Sequence, residues 1–440
     1  MPSRSRSALL VALASLVLTG TATAGVVGLP AWDVVPSPNS GTETNELLGV
    51  EAISSNDVWA VGRRGTRTLT MRWNGSTFSI VKSPNVQNRA NVLEDVDGTG
   101  SSDVWAVGHD ASITFVGSKT LILRWNGLRW RRIPSPNLGS GSDQNFLTGV
   151  AAISPTDAWA VGAFRTNDPA DAQALTLRWN GTAWTSVPNN CGTSLREVFA
   201  LSATNVWAVG GGSTCKWNGT TWTHIPAAPP ITQGFLDLQD VTGTGANNLW
   251  AVGTLASSCG EGQVCHSGAI ERWNGTSWSF MGFGEILYGV HALASNDVYA
   301  VGSAIGPAVL HFDGSAWSDV PQPSPSIPGR LFAVDASSAS NWWAVGWRLD
   351  NGKFRTLVER APSLNSGAVV GGTGVAFATV SWFGPESSSV ETDPSGQYQA
   401  GGLTAGTYTF TATNPGCTPT SKQVTVPAGT TIAVALPISC

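Results

Sequence analysis

One phrase recurs along the whole chain: "DVWAVG" at Asp57 and Asp103, "DAWAVG" at Asp157, "NVWAVG" at Asn205, "NLWAVG" at Asn248, "DVYAVG" at Asp297 and "NWWAVG" at Asn341. Its aromatic residue falls at Trp59, Trp105, Trp159, Trp207, Trp250, Tyr299 and Trp343, giving steps of 46, 54, 48, 43, 49 and 44 residues. A unit of this size cannot bury both its faces alone, so copies must stack, and periods in this range mark solenoids and propellers. A second phrase follows in most copies: "MRWNGSTF" from Met71, "LRWNGLRW" from Leu123, "LTLRWNGTAW" from Leu175, "CKWNGTTW" from Cys215, "ERWNGTSW" from Glu271 and "LHFDGSAW" from Leu310. Asn-Gly between alternating apolar segments predicts a type I′ hairpin with positive φ at both central residues. Some copies also spell a glycosylation sequon, but Leu128 breaks the sequon while leaving the turn intact, so the pattern serves the hairpin.

Each period holds four short strands, A to D. In the third copy these are "FLTGVAAIS" from Phe146, "DAWAVG", "ALTLRWNG" from Ala174 and "TAWTSVP" from Thr182, which together make one propeller blade. The seventh copy stops at "RTLVERAP", ending at Pro362, with no hairpin and no strand D. At the other end "AWDVVPSPN" from Ala31 matches "RWRRIPSPN" from Arg129, a strand D without an A, B or C of its own. An N-terminal strand that completes the last blade closes the ring and removes two open sheet edges. The expected fold is all-β: a seven-bladed β-propeller over residues 31–362, closed by an N-terminal strand, and a small C-terminal β-sandwich over 363–440.

The repeat resembles the tectonin and photosystem-assembly-factor type of propeller, in which a short W-A-V-G strand precedes a D/N-G-x-x-W hairpin. The resemblance spans about 32–362 and implies a binding surface without naming a ligand. Beyond Pro362 the period is lost. Thr392, Asp393, Gly396 and Tyr398, then Gly402, Leu403, Gly406 and Tyr408, spell T-D-x-x-G-x-Y and G-L-x-x-G-x-Y. This is similar to the carboxypeptidase regulatory-like domain, and implies an accessory sandwich without catalysis of its own.

Residues 1–24 read as a secretory signal peptide: Arg4 and Arg6, an apolar run from Ala8 to Leu18, and Ala22-Thr23-Ala24 before the expected cleavage. The mature chain is expected to be secreted, extracellular or associated with the cell surface, monomeric and without a membrane span. Charged residues are only 12% of the chain and its formal charge is −5, so no basic footprint for nucleic acid is present. In an exported protein the six cysteines predict disulfides, and proximity favours Cys191 with Cys215, Cys259 with Cys265 and Cys417 with Cys440.

Twenty tryptophans invite a sugar-stacking reading. Seventeen occupy repeat slots, which makes them packing between blades, and Trp342, Trp347 and Trp382 stand outside. Strand A is expected to line the central channel, with Glu51, Asp95, Asp97, Glu197, Asp240 and Asp335 on one parity and His291 at the matching site of the sixth copy. Such a ring reads as a hydrated polar channel or as a cation site. Asp95, Asp97 and Asp103 in "DVDGTGSSD" also resemble the calcium loops of integrin-type propellers, so calcium is the one cofactor the sequence suggests and none is required. The histidines have no metal or triad spacing, and there is no nucleophile elbow. The B to C and D to A loops vary in length while the other turns are uniform, so recognition is expected on the variable face, with Trp347, Arg63 and His109 as contacts. The expected function is a secreted, non-catalytic binding or adhesion protein for a glycan or extracellular protein. The alternatives are an extracellular polysaccharide-acting enzyme, glycosidase or lyase, and a purely structural cell-envelope protein.

Overall fold

The computed structural model describes residues 31–440 apart from 113–116, 167, 169–170, 227, 229–233, 261–262, 324–327, 362–365, 386, 405 and 427–430. The expected signal peptide lies outside the described residues. Among these residues the chain forms seven four-stranded antiparallel sheets and, after them, one sheet of three strands and one of four. Blades 1 to 6 run from Asn45 to Ile80, Arg89 to Ile133, Gln144 to Ser186, Glu197 to Ile225, Gly234 to Phe283 and Ile286 to Asp319. Blade 7 takes strands A to C from Gly329 to Arg360, and its fourth strand is Asp33–Val34.

The closing strand is a strand D in detail. Asp33 pairs with Arg360 and Val34 with Glu359, and the Val35 amide donates to Val358 O at 2.9 Å. The "PSPN" signature then acts as a clamp on a threonine of strand C. Asn39 Oδ1 accepts the Thr356 amide at 3.0 Å, and Ser37 Oγ meets Thr356 Oγ1 at 2.8 Å. Ser83 and Asn85 hold Thr68 in the same way, and Ser135 and Asn137 hold Thr120. The shared signature is therefore a shared contact, and the ring seam carries it too.

Blades are joined by indoles. In every blade but the sixth, which has Tyr299 there, the strand B tryptophan packs against the two aromatics that flank the C to D turn of the next: Trp59 with Trp125 and Trp130, centroids at 4.9 and 5.0 Å, and Trp105 with Trp179 and Trp184 at 5.1 and 5.2 Å. Trp343 of blade 7 meets Trp73 and Phe78 of blade 1, which carries the pattern across the seam. Between blades 6 and 7, Tyr299 meets Trp32 of the closing strand at 5.2 Å. Trp342 is explained by register. In blade 1 Val58 lies opposite Trp73; in blade 7 the large residue has changed strands, because Ala361 follows Arg360 where the other blades have an aromatic, and Trp342 fills the space against Tyr299 at 4.5 Å.

The turn before strand D departs from the expected hairpin. Trp179 pairs directly with Trp184, so four residues bridge the strands rather than two, and Asn180 does not adopt positive φ. Its Oδ1 accepts from the Thr182 amide, the Thr182 hydroxyl and the Ala183 amide at 2.8 to 3.0 Å, and only Gly181 takes the left-handed conformation, at φ 93°. The side chain of asparagine supplies the turn, and Asp313 does the same in blade 6.

All three expected disulfides are present, Cys191–Cys215, Cys259–Cys265 and Cys417–Cys440. The C-terminal sheets enclose a core of Val380, Tyr398, Tyr408, Phe410, Val426 and Leu436. The T-D-x-x-G-x-Y motif builds it locally: Asp393 Oδ1 holds the turn through the Ser395 and Gln397 amides at 2.9 and 2.8 Å, and the buried Tyr398 hydroxyl donates to Val434 O at 2.8 Å.

If the closing strand holds the ring, Trp32→Ala should destabilise the propeller by ~3–5 kcal/mol, the usual cost of emptying a buried aromatic site. Urea unfolding of the variant beside the parent measures this, and coincident curves would contradict the assignment.

Candidate functional site

Every strand A except that of blade 4 carries a bulge near its start. The register shifts between Leu47 and Gly49, Leu93 and Asp95, Leu147 and Gly149, Leu238 and Asp240, Leu287 and Gly289, and Leu331 and Ala333. The glycine of W-A-V-G answers this bulge. A Cβ on Gly62 would lie 2.1 Å from Glu46 O, and one on Gly346 would lie 1.8 Å from Arg330 O, so no larger residue fits. The extra residue turns toward the channel and adds Leu48, Glu94, Thr148, Gln239, Tyr288 and Phe332 to its wall, and Arg196 takes the matching place in blade 4 without a bulge. The channel cavity, about 610 Å³, is lined by the inner strands of all seven blades.

The acids foreseen on one parity divide into two levels. Asp95 and Asp240 directly follow the bulge, Glu197 stands at the matching place in blade 4, and Glu51, Asp97, His291 and Asp335 lie two residues further along. Most are engaged by the neighbouring blade. Asp95 Oδ2 accepts the Val150 amide at 2.8 Å, Asp97 Oδ2 the Ala152 amide at 2.6 Å, Asp240 Oδ2 the Val290 amide at 2.7 Å and Asp335 Oδ2 the Ala52 amide at 2.6 Å. Strand A is the inner edge of each blade, and these carboxylates satisfy edge amides that would otherwise lack partners.

Burial pushes Asp97 and Asp240 up to about 7 despite those amides, and it raises Glu51, Asp95 and Glu197 well above the carboxylate range with neighbouring acids adding to the effect. Burial opposes charge on His291, but Asp335 at 2.7 Å, backed by Asp240 and Asp97, outweighs it and raises the imidazole.

Asp95, Asp97 and Asp103 do not converge. The first two face the channel, whereas Asp103 accepts from Arg124 at 2.7 Å and from the Thr99 hydroxyl at 2.7 Å. Among the described residues no group of three or more His, Cys, Asp and Glu is placed to hold a metal ion. Asp103 belongs instead to a ladder the sequence did not reveal. In blades 1, 2 and 3 the arginine before Trp-Asn-Gly pairs with the first residue of the "DVWAVG" strand and lies over its tryptophan: Arg72 with Asp57 and Trp59, Arg124 with Asp103 and Trp105, Arg178 with Asp157 and Trp159.

Of the expected contacts, Arg63 and His109 lie near one another and Trp347 stands apart. Arg63 Nε donates to Glu46 Oε2 at 2.9 Å, and His109 Nδ1 is 3.6 Å from Glu94 Oε1. Burial, aided by Arg63, holds His109 down at about 4, and burial raises Glu94 to about 7 against the pull of Arg63 and Arg196. Trp347 stacks on Phe354 at 4.2 Å with the Arg330 guanidinium 5.9 Å from its ring. Arg330 also reaches the Tyr288 hydroxyl at 3.1 Å, and Tyr288 packs against Phe332 at 5.3 Å. The channel mouth thus has a charged sector at blades 1, 2, 4 and 5 and an aromatic one at blades 6 and 7.

Comparison with known proteins bears on each part. Residues 366–438 match the family model of the carboxypeptidase regulatory-like domain. No curated protein matches the chain. Among solved structures the chain is similar to YCF48 bound to D1 peptide, with TM-score 0.51 and 16% identity over 76% of this chain and 99% of that one. It is similar to U3-55K with TM-score 0.50 and 9% identity over 75% and 98%, and to YCF48 from Cyanidioschyzon merolae with TM-score 0.48 and 17% identity over 76% and 99%. At these identities the likeness shows the propeller fold alone.

The raised channel carboxyls make a prediction with a definite sign. A carboxyl near 7 in the folded chain and near 3.8 when unfolded stabilises the fold while protonated, and that contribution is lost as pH rises through about 7. Thermal midpoints should therefore fall between pH 5 and pH 8, and Asp97→Asn should flatten the profile while keeping an acceptor for Ala152. Calorimetry across that range checks this, and a midpoint rising with pH would contradict it.

Proposed function

We propose that the chain is a non-catalytic binding or adhesion protein of the cell exterior that recognises a glycan or protein ligand on the face formed by the B to C and D to A loops. The observation that carries this reading is the contrast between the two faces. On the Asn-Gly side Arg72, Arg124 and Arg178 are committed to the repeated Asp-Trp ladder, and the turns are near copies of one another. On the other side the bulge residues open a cavity of about 610 Å³, and its rim differs in every blade. Recognition on a constant scaffold belongs where the scaffold varies.

Several observations support binding over catalysis. The carboxylates that a hydrolase would draw on are held by backbone amides of adjacent blades. The C-terminal sandwich matches a family of accessory modules. A propeller of similar fold has been solved bound to a peptide, which keeps a protein ligand beside a glycan.

The test is a glycan array and an extracellular-peptide array probed with the mature chain, repeated with Arg63→Ala/Trp347→Ala and with Asn180→Ala/Asn274→Ala. Loss of roughly tenfold or more is expected for the first pair, and none for the second. The reverse pattern would place recognition on the opposite face.

A further inference from the structure

The cations of this acidic chain are unevenly placed. Blade 1 presents Arg63, Arg64 and Arg67 at its B to C hairpin, and blade 7 presents Arg330, Arg348, Lys353 and Arg355 around the equivalent hairpin. The acids beside these seven are Glu43, Glu46, Glu94 and Asp350, in a chain whose formal charge is −5. The two hairpins adjoin at the seam, where the segment following the closing strand crosses from blade 7 to blade 1. Arg64 reaches Ser40 Oγ, and Arg355 reaches Gly41 O at 3.4 Å.

Two features show that the arrangement works against stability. Arg64 lies directly opposite Arg67, and Arg348 directly opposite Arg355. Like charges facing each other across an antiparallel pair are destabilising, and here the same unfavourable pair occurs in both hairpins that border the seam. The Arg64–Arg67 pair faces the seam, and an anionic partner there would relieve it.

The seam also has an aromatic wall. Trp343 and Val345 pack into blade 1, so Trp347, two residues further along the strand, leans the same way. Leu69 and Met71 pack into blade 7, so Arg67 points toward the seam, as does Arg64 opposite it. Trp347, stacked on Phe354 and beside Arg330, therefore faces the Arg64 and Arg67 side across the seam.

We propose that this seam binds an acidic polysaccharide, with its sugar rings against Trp347 and its carboxylates on the arginines of blades 1 and 7. The inference rests on the loop-face reading and names its ligand class. Indole faces suit pyranose rings, and guanidinium groups suit carboxylates through paired donors. Leu349 is the exposed large aliphatic residue of these two hairpins, so the seam offers little to the apolar side chains of a peptide.

The experiment uses polygalacturonate as probe, dextran as its neutral counterpart and poly-L-glutamate as an acidic peptide, each titrated into the full chain by calorimetry. Polygalacturonate should bind, more weakly as salt rises, and dextran should not. Arg67→Ser/Lys353→Ser, at two exposed sites, should weaken binding at least tenfold with an unchanged melting profile, and charge reversal at both should abolish it. Trp347→Ala should weaken polygalacturonate further. Binding of poly-L-glutamate as tight as that of polygalacturonate, lost in the same variants, would overturn the glycan and leave the loop-face reading standing. No binding, or binding that Arg67→Ser/Lys353→Ser leaves unchanged, would overturn the proposal. Loss on Asn180→Ala/Asn274→Ala alone would overturn the loop-face reading with it.

Discussion

The indole of strand B is the contact on which the ring depends. Trp59, Trp105, Trp159, Trp207, Trp250 and Trp343 are fully buried, and each finds its aromatic partners in the next blade rather than its own. A blade on its own would leave that indole in water. Because the requirement passes from every blade to the next, it is met throughout only when the last reaches the first. Trp32 is therefore more than an end strand: it brings to blade 7 the strand D aromatic that its own segment lacks, and Tyr299 packs against it.

The same geometry separates the two ends of the channel chemically. Toward the Asn-Gly turns, aspartate, arginine and tryptophan are locked into a repeated ladder, and asparagine side chains close the turns with their own oxygens. Toward the variable loops, each bulge releases one residue to the channel wall, and its identity differs from blade to blade: Glu94, Thr148, Gln239, Tyr288, Phe332. The channel acids lie between these ends, where they pin one inner strand to the next. Repetition builds the scaffold, and the positions freed from repetition are those to which the proposed function assigns recognition.

Much of this was legible in the sequence, because blade count, closing strand and disulfide pairing follow from period, matching phrases and proximity. What was missed depends on register. The T-D-x-x-G motif announced the sandwich, but nothing in a linear reading of "WNG" distinguishes a two-residue turn from a four-residue one closed by an asparagine side chain. The bulge is equally silent, and it is what brings Glu94, Gln239, Tyr288 and Phe332 to the channel wall. Asp103 has calcium-loop spacing, yet its carboxylate is taken by Arg124, a partner 21 residues away. Arg63, His109 and Trp347 all lie at the variable-loop ends of their strands, but strand alternation sends Arg63 toward blade 2 and Trp347 toward the seam, so the three do not converge on one sector.

The central claim is that recognition belongs to the variable-loop face at the seam of blades 7 and 1. Hydrogen–deuterium exchange of the full chain, with and without a saturating galacturonate oligomer, tests it most directly. The account predicts slowed exchange at 40–45, 63–68 and 347–356, with the Asn-Gly turns and the C-terminal sandwich unchanged. Protection confined to those turns or to the sandwich would contradict it.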